Sequence, residues 1–188
     1  MDIIWRLALE RPDCWNKVYA ADNPIFTDKP NALLASVVEG RRPGKALDVG
    51  MGQGRNSIFL ALLGWDVTGI DPSDVGMRIA QANAQKTGVK IHTIATTDRE
   101  FDFGDTQWDL VVYTYIRSLT SNDAQRLERA LRPGGIVVYE NGGVGNEVLR
   151  AFLGFRIVRF EDVEAFGDWK VDQRMRIQKL VAEKVDKP

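Results

Sequence analysis

Short apolar runs alternate with longer amphipathic ones through the middle of this chain. Ala46–Val49, Asp66–Ile70, Lys90–Ala95, Trp108–Tyr113 and Ile136–Glu140 are brief and rich in β-branched or alternating apolar residues, which predicts strands. Asn56–Leu63, a segment from Pro72 or Ser73 to about Lys86, and Ser121–Leu131 carry the wider apolar spacing of helices. Gly64, Gly88 and the Arg-Pro-Gly-Gly run after Leu131 end them, and Ser121 is placed to cap the third. Such alternation predicts an α/β protein with a parallel sheet. After Glu140 the rhythm changes. Phe155–Phe160 and Met175–Glu183 are both strand-like with no helix between them, so an antiparallel hairpin is expected to finish a doubly wound, mostly parallel seven-stranded sheet. Trp15–Ala21 and Asn31–Glu39, the latter opened by Pro30, read as helices. The chain is expected to form one domain over 1–188, with a helical cap over 1–40 and a core over 44–184.

Composition narrows the function classes. A net charge of −1 and a pI of about 5.9 give no global attraction to nucleic acid or anionic membrane. The single cysteine, Cys14, cannot form an internal disulfide. No apolar run approaches the roughly 20 residues of a membrane span. Asp2, Arg6 and Glu10 interrupt the N-terminal apolar stretch, unlike a secretory signal, so a cytoplasmic location is expected. One histidine, His92, and one distant cysteine do not make a metal ligand set. Lys170, Arg174, Arg176, Lys179 and Lys184 read as the solvated side of the last strands.

The candidate chemistry centres on Asp48-Val-Gly-Met-Gly-Gln-Gly54. Glycines at 50, 52 and 54 permit positive φ and close approach of a ligand to the main chain, so the backbone at 50–54 is expected to face a ligand and not neighbouring side chains. The dinucleotide fingerprint G-x-G-x-x-G would put its third glycine at 55, which is Arg. Asp48 would repel a pyrophosphate and suits a positively charged ligand. In an open α/β sheet, ligands sit beyond the carboxyl ends of the strands; Asp48, Asp71, Asp98, Tyr113 and Glu140 are all expected there.

The order of elements and these residues resemble the class I S-adenosylmethionine (SAM) dependent methyltransferases, over roughly Trp15 to Lys184. Four places carry the resemblance: the glycine loop; Asp71, 17 residues past Gly54; Asp98-Arg99, ten residues before Trp108; and Leu131-Arg-Pro-Gly-Gly-Ile-Val-Val138. Gly54-Arg-Asn-Ser57 and the small size are most similar to the short tellurite-resistance type. The resemblance implies SAM as cofactor. Asp71 would accept bonds from the ribose hydroxyls; Asp48 would face the methionine portion, with Gly50, Gly52 and Gly54 approached by the ligand. Asp98 and Arg99 would lie on the adenine side. Arg55 or Asn56 would take the methionine carboxylate, where a helix N-terminus favours an anion. Tyr19, four residues from Trp15 on one helix face, would close over the methionine end. Tyr113 and Tyr115, with Arg117, fall on the expected acceptor side, and Glu140 is the candidate general base. Each has a plainer reading: Asp71 as a helix cap, Asp48 as a turn former, Trp15 and Tyr19 as core packing, Glu140 as a solvated strand end.

The expected activity is transfer of the SAM methyl group to a small-molecule acceptor by in-line displacement. Strand four runs into Val-Tyr-Thr-Tyr-Ile-Arg, without the Pro-Pro-Tyr signature of amino-directed DNA methyltransferases, and no Pro-Cys nucleophile is present. No nucleic-acid or membrane partner is expected, and the chain is read as a monomer or homodimer. A non-catalytic SAM-binding sensor or partner subunit is the alternative. An NAD(P)-linked oxidoreductase is disfavoured by Asp48 and Arg55.

Overall fold

The computed structural model describes residues 12–21, 26–143, 145–168 and 170–185. The first eleven residues of the expected helical cap lie outside them. The elements, in order, are α1 (Pro12–Tyr19), α2 (Ala32–Val38), β1 (Lys45–Val49), α3 (Arg55–Leu62), β2 (Asp66–Asp71), α4 (Asp74–Thr87), β3 (His92–Ala95), β4 (Trp108–Thr114), α5 (Ser121–Ala130), β5 (Leu131–Gly142), α6 (Glu147–Ala151), β6 (Arg156–Gly167) and β7 (Lys170–Glu183). The sheet order is β3-β2-β1-β4-β5-β7-β6. β1 to β5 run parallel, and β7 is antiparallel to both β5 and β6. The sheet therefore reverses direction of growth between β1 and β4, which places a crevice at their carboxyl ends.

The central strands are apolar on both faces because helices cover both. Along β4, Val111 and Tyr113 join one core cluster with Leu127 of α5 and Phe152, while Leu110 and Val112 join the other with Leu34 of α2 and Leu60 of α3. β5 alternates in the same way, with Val137 and Tyr139 on one side and Ile136 and Val138 on the other.

Three local expectations change. The cap of α5 is Thr120, not Ser121: Thr120 Oγ1 accepts from Asp123 N, and the Asp123 carboxylate accepts from Thr120 N. A capping box needs an acid three residues on, and three past Ser121 stands Ala124. Leu131, expected to end that helix, is already paired with Trp108 at the start of β5. The C-terminal hairpin is longer than its apolar cores, because the charged edge strand β6 gains its ladder from β7 along the whole stretch. A bulge at Val158 and alternating charge mark it as a protected edge. The hairpin overhangs β5, whose pairing with β7 stops at Gly142 and Ile177. Its turn, at Asp168, thus lies at the carboxyl end of the parallel strands. α6 was not anticipated. Among the described residues, no helix is long and apolar enough to cross a membrane, and no cluster of three or more His, Cys, Asp or Glu side chains could hold a metal.

Candidate functional site

β1 ends in a loop whose three glycines all adopt positive φ: +66° at Gly50, +53° at Gly52 and +87° at Gly54. Gly54 caps α3 with no side chain. A Cβ there would lie 2.9 Å from Ala80 Cβ and 3.3 Å from Ala80 Cα, so this glycine lets α3 begin against α4.

The expectation of an open main chain is thus corrected at Gly54, and it is corrected at the other two glycines as well. A Cβ at position 50 would lie 2.7 Å from Ile116 Cδ1, and one at position 52 would collide with the Tyr19 hydroxyl. The reason is the docking of α1. Asn16 accepts from Ser73 Oγ (2.6 Å) and donates to Asp74 (2.7 Å), pinning α1 to the start of α4. Tyr19 then falls over Gly52, with its ring 5.4 Å from that of Phe26 and 6.0 Å from that of Trp15. Burial, together with the charge of Asp71, raises the Tyr19 phenol well above its usual range, so it stays neutral. Both covering side chains are half-buried, and Ile116 packs against the edge of the core cluster.

Asp71 ends β2 and Asp48 lies in the neighbouring β1. Asp71 is not the cap of α4; that is Ser73, whose hydroxyl accepts from Gly76 N. The Asp71 carboxylate instead accepts from Gly52 N (2.9 Å) and Ser73 N (2.7 Å), which orients it. Asp48 is 1% exposed. One of its oxygens accepts from Ser57 Oγ (2.6 Å), and Oδ1 has no hydrogen-bond partner among the described residues. Burial raises its pKa to about 6, against the opposing bond from Ser57 and the charge of Arg55.

On the β5 side, Glu140 is 2% exposed, which overturns its plainer reading as a solvated strand end. Tyr115 OH donates a short bond to Glu140 Oε1, while Lys179 Nζ stands 3.7 Å from Oε2. Burial pushes the Glu140 carboxyl up, with Asp168 adding to the effect and the Tyr115 and Lys179 interactions opposing it. Tyr115 adopts φ +57°, an unusual conformation for a non-glycine residue and one that recurs at functional sites. Lys179 is thus drawn inward; Arg174 and Arg176 remain exposed, as expected of the solvated side.

Arg55 and Asn56 open α3 but are both engaged. Arg55 donates to Asp168 Oδ1 (2.9 Å) and to Lys29 O (3.2 Å). Asn56 is buried, accepting from Asn31 N (2.8 Å) and donating to Thr114 (3.3 Å).

Tyr113 does not lie with Tyr115. It is 1% exposed within the core, and its hydroxyl donates to Asp98. Residues two apart on a strand share a face, but β4 ends at Thr114 and the positive φ of Tyr115 turns that side chain away. Arg117 bonds Asp98 through Nε (2.8 Å) and Asp123 through Nη1 and Nη2 (both 2.8 Å). The geometry therefore removes Tyr113 from the acceptor side and gives Asp98 two internal partners, while Arg99 is exposed in the adjoining turn. Asn16, Asn31, Ser57, Ile116 and Asp168 were not anticipated. Only Asp168 had a local signal, the Gly167-Asp168 turn between two strand-like runs.

Strand order, glycine loop and paired strand-end acids define the class I SAM-dependent methyltransferase fold, and the comparisons agree. Residues 46–135 match the methyltransferase domain family. The chain is 35% identical over 86 residues to the probable SAM-dependent methyltransferase TehB of Haemophilus influenzae, covering 43% of this chain and 30% of TehB. It is 31% identical over 132 residues to the ribosomal protein L11 methyltransferase of Syntrophotalea carbinolica, covering 68% of this chain and 42% of that protein. The crystal structure of TehB from Haemophilus influenzae superposes with a TM-score of 0.73 at 18% identity, over 92% of this chain and 66% of that one. The chain thus spans under half the length of these two curated relatives. It has the fold of the class I SAM-dependent methyltransferases and is similar to TehB.

Proposed function

We propose that this chain moves the methyl group of SAM to a small-molecule acceptor. The observation that carries this reading is the buried Asp48 carboxylate with an unpartnered oxygen, one strand from Asp71 and beside a three-glycine turn. SAM supplies an electrophilic methyl on a sulfonium and carries an ammonium and a ribose diol; an unpaired buried acceptor, a backbone-oriented carboxylate and an α3 N-terminus suit those groups. Tyr19 and Ile116 must swing off Gly52 and Gly50 to admit it. In the proposed assignment, Asp71 accepts from the ribose hydroxyls, Asp48 faces the methionine portion, and Arg55 lies at its far end. Asn56 holds α3 against Asn31, and Asp98 and Arg99 flank the adenine side.

For catalysis the chain must chiefly align the reacting atoms, which alone can supply roughly 7–11 kcal/mol of a displacement barrier. A thiolate or similar soft acceptor needs no base. For a hydroxyl acceptor, the Tyr115–Glu140 pair is the proton-accepting group, its carboxyl kept basic by burial. The small-molecule reading is supported by the lack of a basic stripe and by net charge −1.

The test is thermal shift with SAM, its demethylated product and NAD. A ligand at 100 times its Kd stabilises by about 2.7 kcal/mol, which for a chain of this size raises Tm by roughly 5–11 °C. Both sulfur nucleosides should give that shift and NAD none; preferential stabilisation by NAD would overturn the reading.

Asp48 also makes binding pH-dependent. Its folded pKa lies above the usual carboxylate value of 3.8, so the free protein holds a proton there up to about pH 6. A cationic ligand favours the ionised form. Binding should therefore release a proton near pH 6, and SAM affinity should be about tenfold weaker at pH 5 than at pH 7. Calorimetry in buffers of differing ionisation enthalpy measures both. Asp48→Asn should weaken SAM binding at pH 7 and flatten the pH dependence; unchanged affinity with reduced turnover would show that Asp48 does not serve binding.

A further inference from the structure

Asp168 looks outward from its sequence, at the turn of a charged hairpin, yet its carboxylate sits in a built anion site. Oδ1 accepts from Arg55 Nη2 at 2.9 Å and Oδ2 from Asn31 Nδ2 at 2.7 Å. The donors are fixed independently of Asp168. Asn31 is fully buried; its Oδ1 accepts from Leu34 N (3.0 Å) as the cap of α2, so its NH2 must face the other way, and its own N–H is held by Asn56. Arg55 is the first residue of α3, its side chain is 11% exposed, and Nη1 is anchored on Lys29 O. A guanidinium and a buried amide converge on one carboxylate, and Glu140 lies close enough for the Asp168 charge to act on it.

The occupant is less firmly held than the site. Asp168 belongs to the turn of a hairpin that overhangs the sheet, its side chain is 23% exposed, and its remaining bond runs from its N–H to Tyr115 OH at 3.4 Å. Asp48 lies close enough for the Arg55 charge to act on it, and it carries the unpartnered oxygen. Asp48 lies at the carboxyl end of β1 and Arg55 opens α3, at the two ends of the same glycine turn, a carboxylate for an ammonium and a cationic fork for a carboxylate.

We propose that Arg55 and Asn31 form a carboxylate subsite, that Asp168 is its resident occupant, and that the carboxylate of the SAM amino-acid arm displaces Asp168 on binding. This rests on the SAM reading above. The hairpin turn is thereby a built-in competitor of the cofactor, released from Arg55 as the cofactor's own carboxylate arrives.

Calorimetry on the full chain tests it with three probes: SAM, decarboxylated SAM, and 5′-methylthioadenosine, which lacks the amino-acid arm. Asp168→Asn should bind SAM about tenfold more tightly, because the competing charge is gone, and bind the two carboxylate-free probes as the wild type does. Arg55→Met should lose at least tenfold for SAM and leave methylthioadenosine unchanged. Asp168→Ala serves in place of Asp168→Asn if circular dichroism shows the latter misfolded. Weaker or unchanged SAM binding by the Asp168 variants overturns the proposal, as does equal tightening for all three probes, which would mean general loosening of the hairpin. A subsite that served an acceptor's carboxylate would leave SAM affinity unmoved, and that too overturns it. If the wild-type chain takes up none of the three probes, the SAM reading itself fails.

Discussion

Asp71→Asn is expected to weaken SAM binding about 30-fold, the equivalent of about 2 kcal/mol. Hydrogen bonds to a charged acceptor contribute roughly 1.5–3 kcal/mol each and neutral ones about 1, so two ribose bonds that lose their charge assistance account for a loss of this size. The substitution has a second, separable effect. Asp71 accepts from both Gly52 N and Ser73 N, whereas an amide offers one oxygen and two donors. One buried backbone N–H would then face an NH2 group, at a cost of roughly 1–3 kcal/mol in stability without ligand. Calorimetry reads the first effect and denaturant unfolding the second. Lowered stability with unchanged SAM affinity would assign Asp71 to the glycine turn alone.

Gly54→Ala should be the most damaging of the glycine changes. A left-handed conformation costs an L-residue roughly 1–2 kcal/mol. At φ +87° the added Cβ also meets Ala80 Cβ at 2.9 Å and the Ala80 backbone at 3.3 Å, and overpacking adds roughly 1–3 kcal/mol. A loss of about 3 kcal/mol lowers Tm by roughly 6–12 °C in a chain of this size. Gly88→Ala is the internal control. Its φ of +72° is similar, but a Cβ there meets nothing within 4 Å, so only the conformational cost applies and the fall should be about one third to two thirds as large. Equal falls in Tm would show that α3 and α4 can separate without penalty. By contrast, the obstacle at Gly52 is the far end of the Tyr19 side chain, which can rotate.

Much of this architecture was readable one residue at a time. The apolar runs of β1, β4 and β5 announce themselves because strands buried on both faces admit only apolar residues. The edge did so only in part: Phe155–Phe160 reads as a strand, but the rest of β6 carries Glu161, Asp162 and Glu164, the composition of a loop, and pairs because β7 offers it a ladder. The box at Thr120 and Asp123 is present in the sequence as a spacing of three, directly beside a second hydroxyl, Ser121, that lacks an acid three residues on.

The strand-end acids show the same division. That Asp48, Asp71 and Glu140 gather at the carboxyl edge follows from strand boundaries alone, since parallel strands end on one side. Which of them is free follows from three-dimensional partners. Asp98 is taken up by Tyr113 and Arg117, Asp71 is oriented by two amides, and Asp48 and Glu140 each keep one oxygen without a hydrogen-bond partner among the described residues.

By itself, then, the order of residues determined the alternation of strands and helices, the glycine turn at the head of α3, and the side of the sheet on which the acids collect, because each depends on local spacing and burial periodicity. The folded chain alone decided that Tyr19 and Ile116 lie over Gly52 and Gly50, that Tyr113 turns away from Tyr115, and that Asp168 reaches Arg55 across 113 positions of sequence. Those facts come from the docking of α1 and the overhang of the hairpin, and contacts between distant segments leave no periodic trace in either segment.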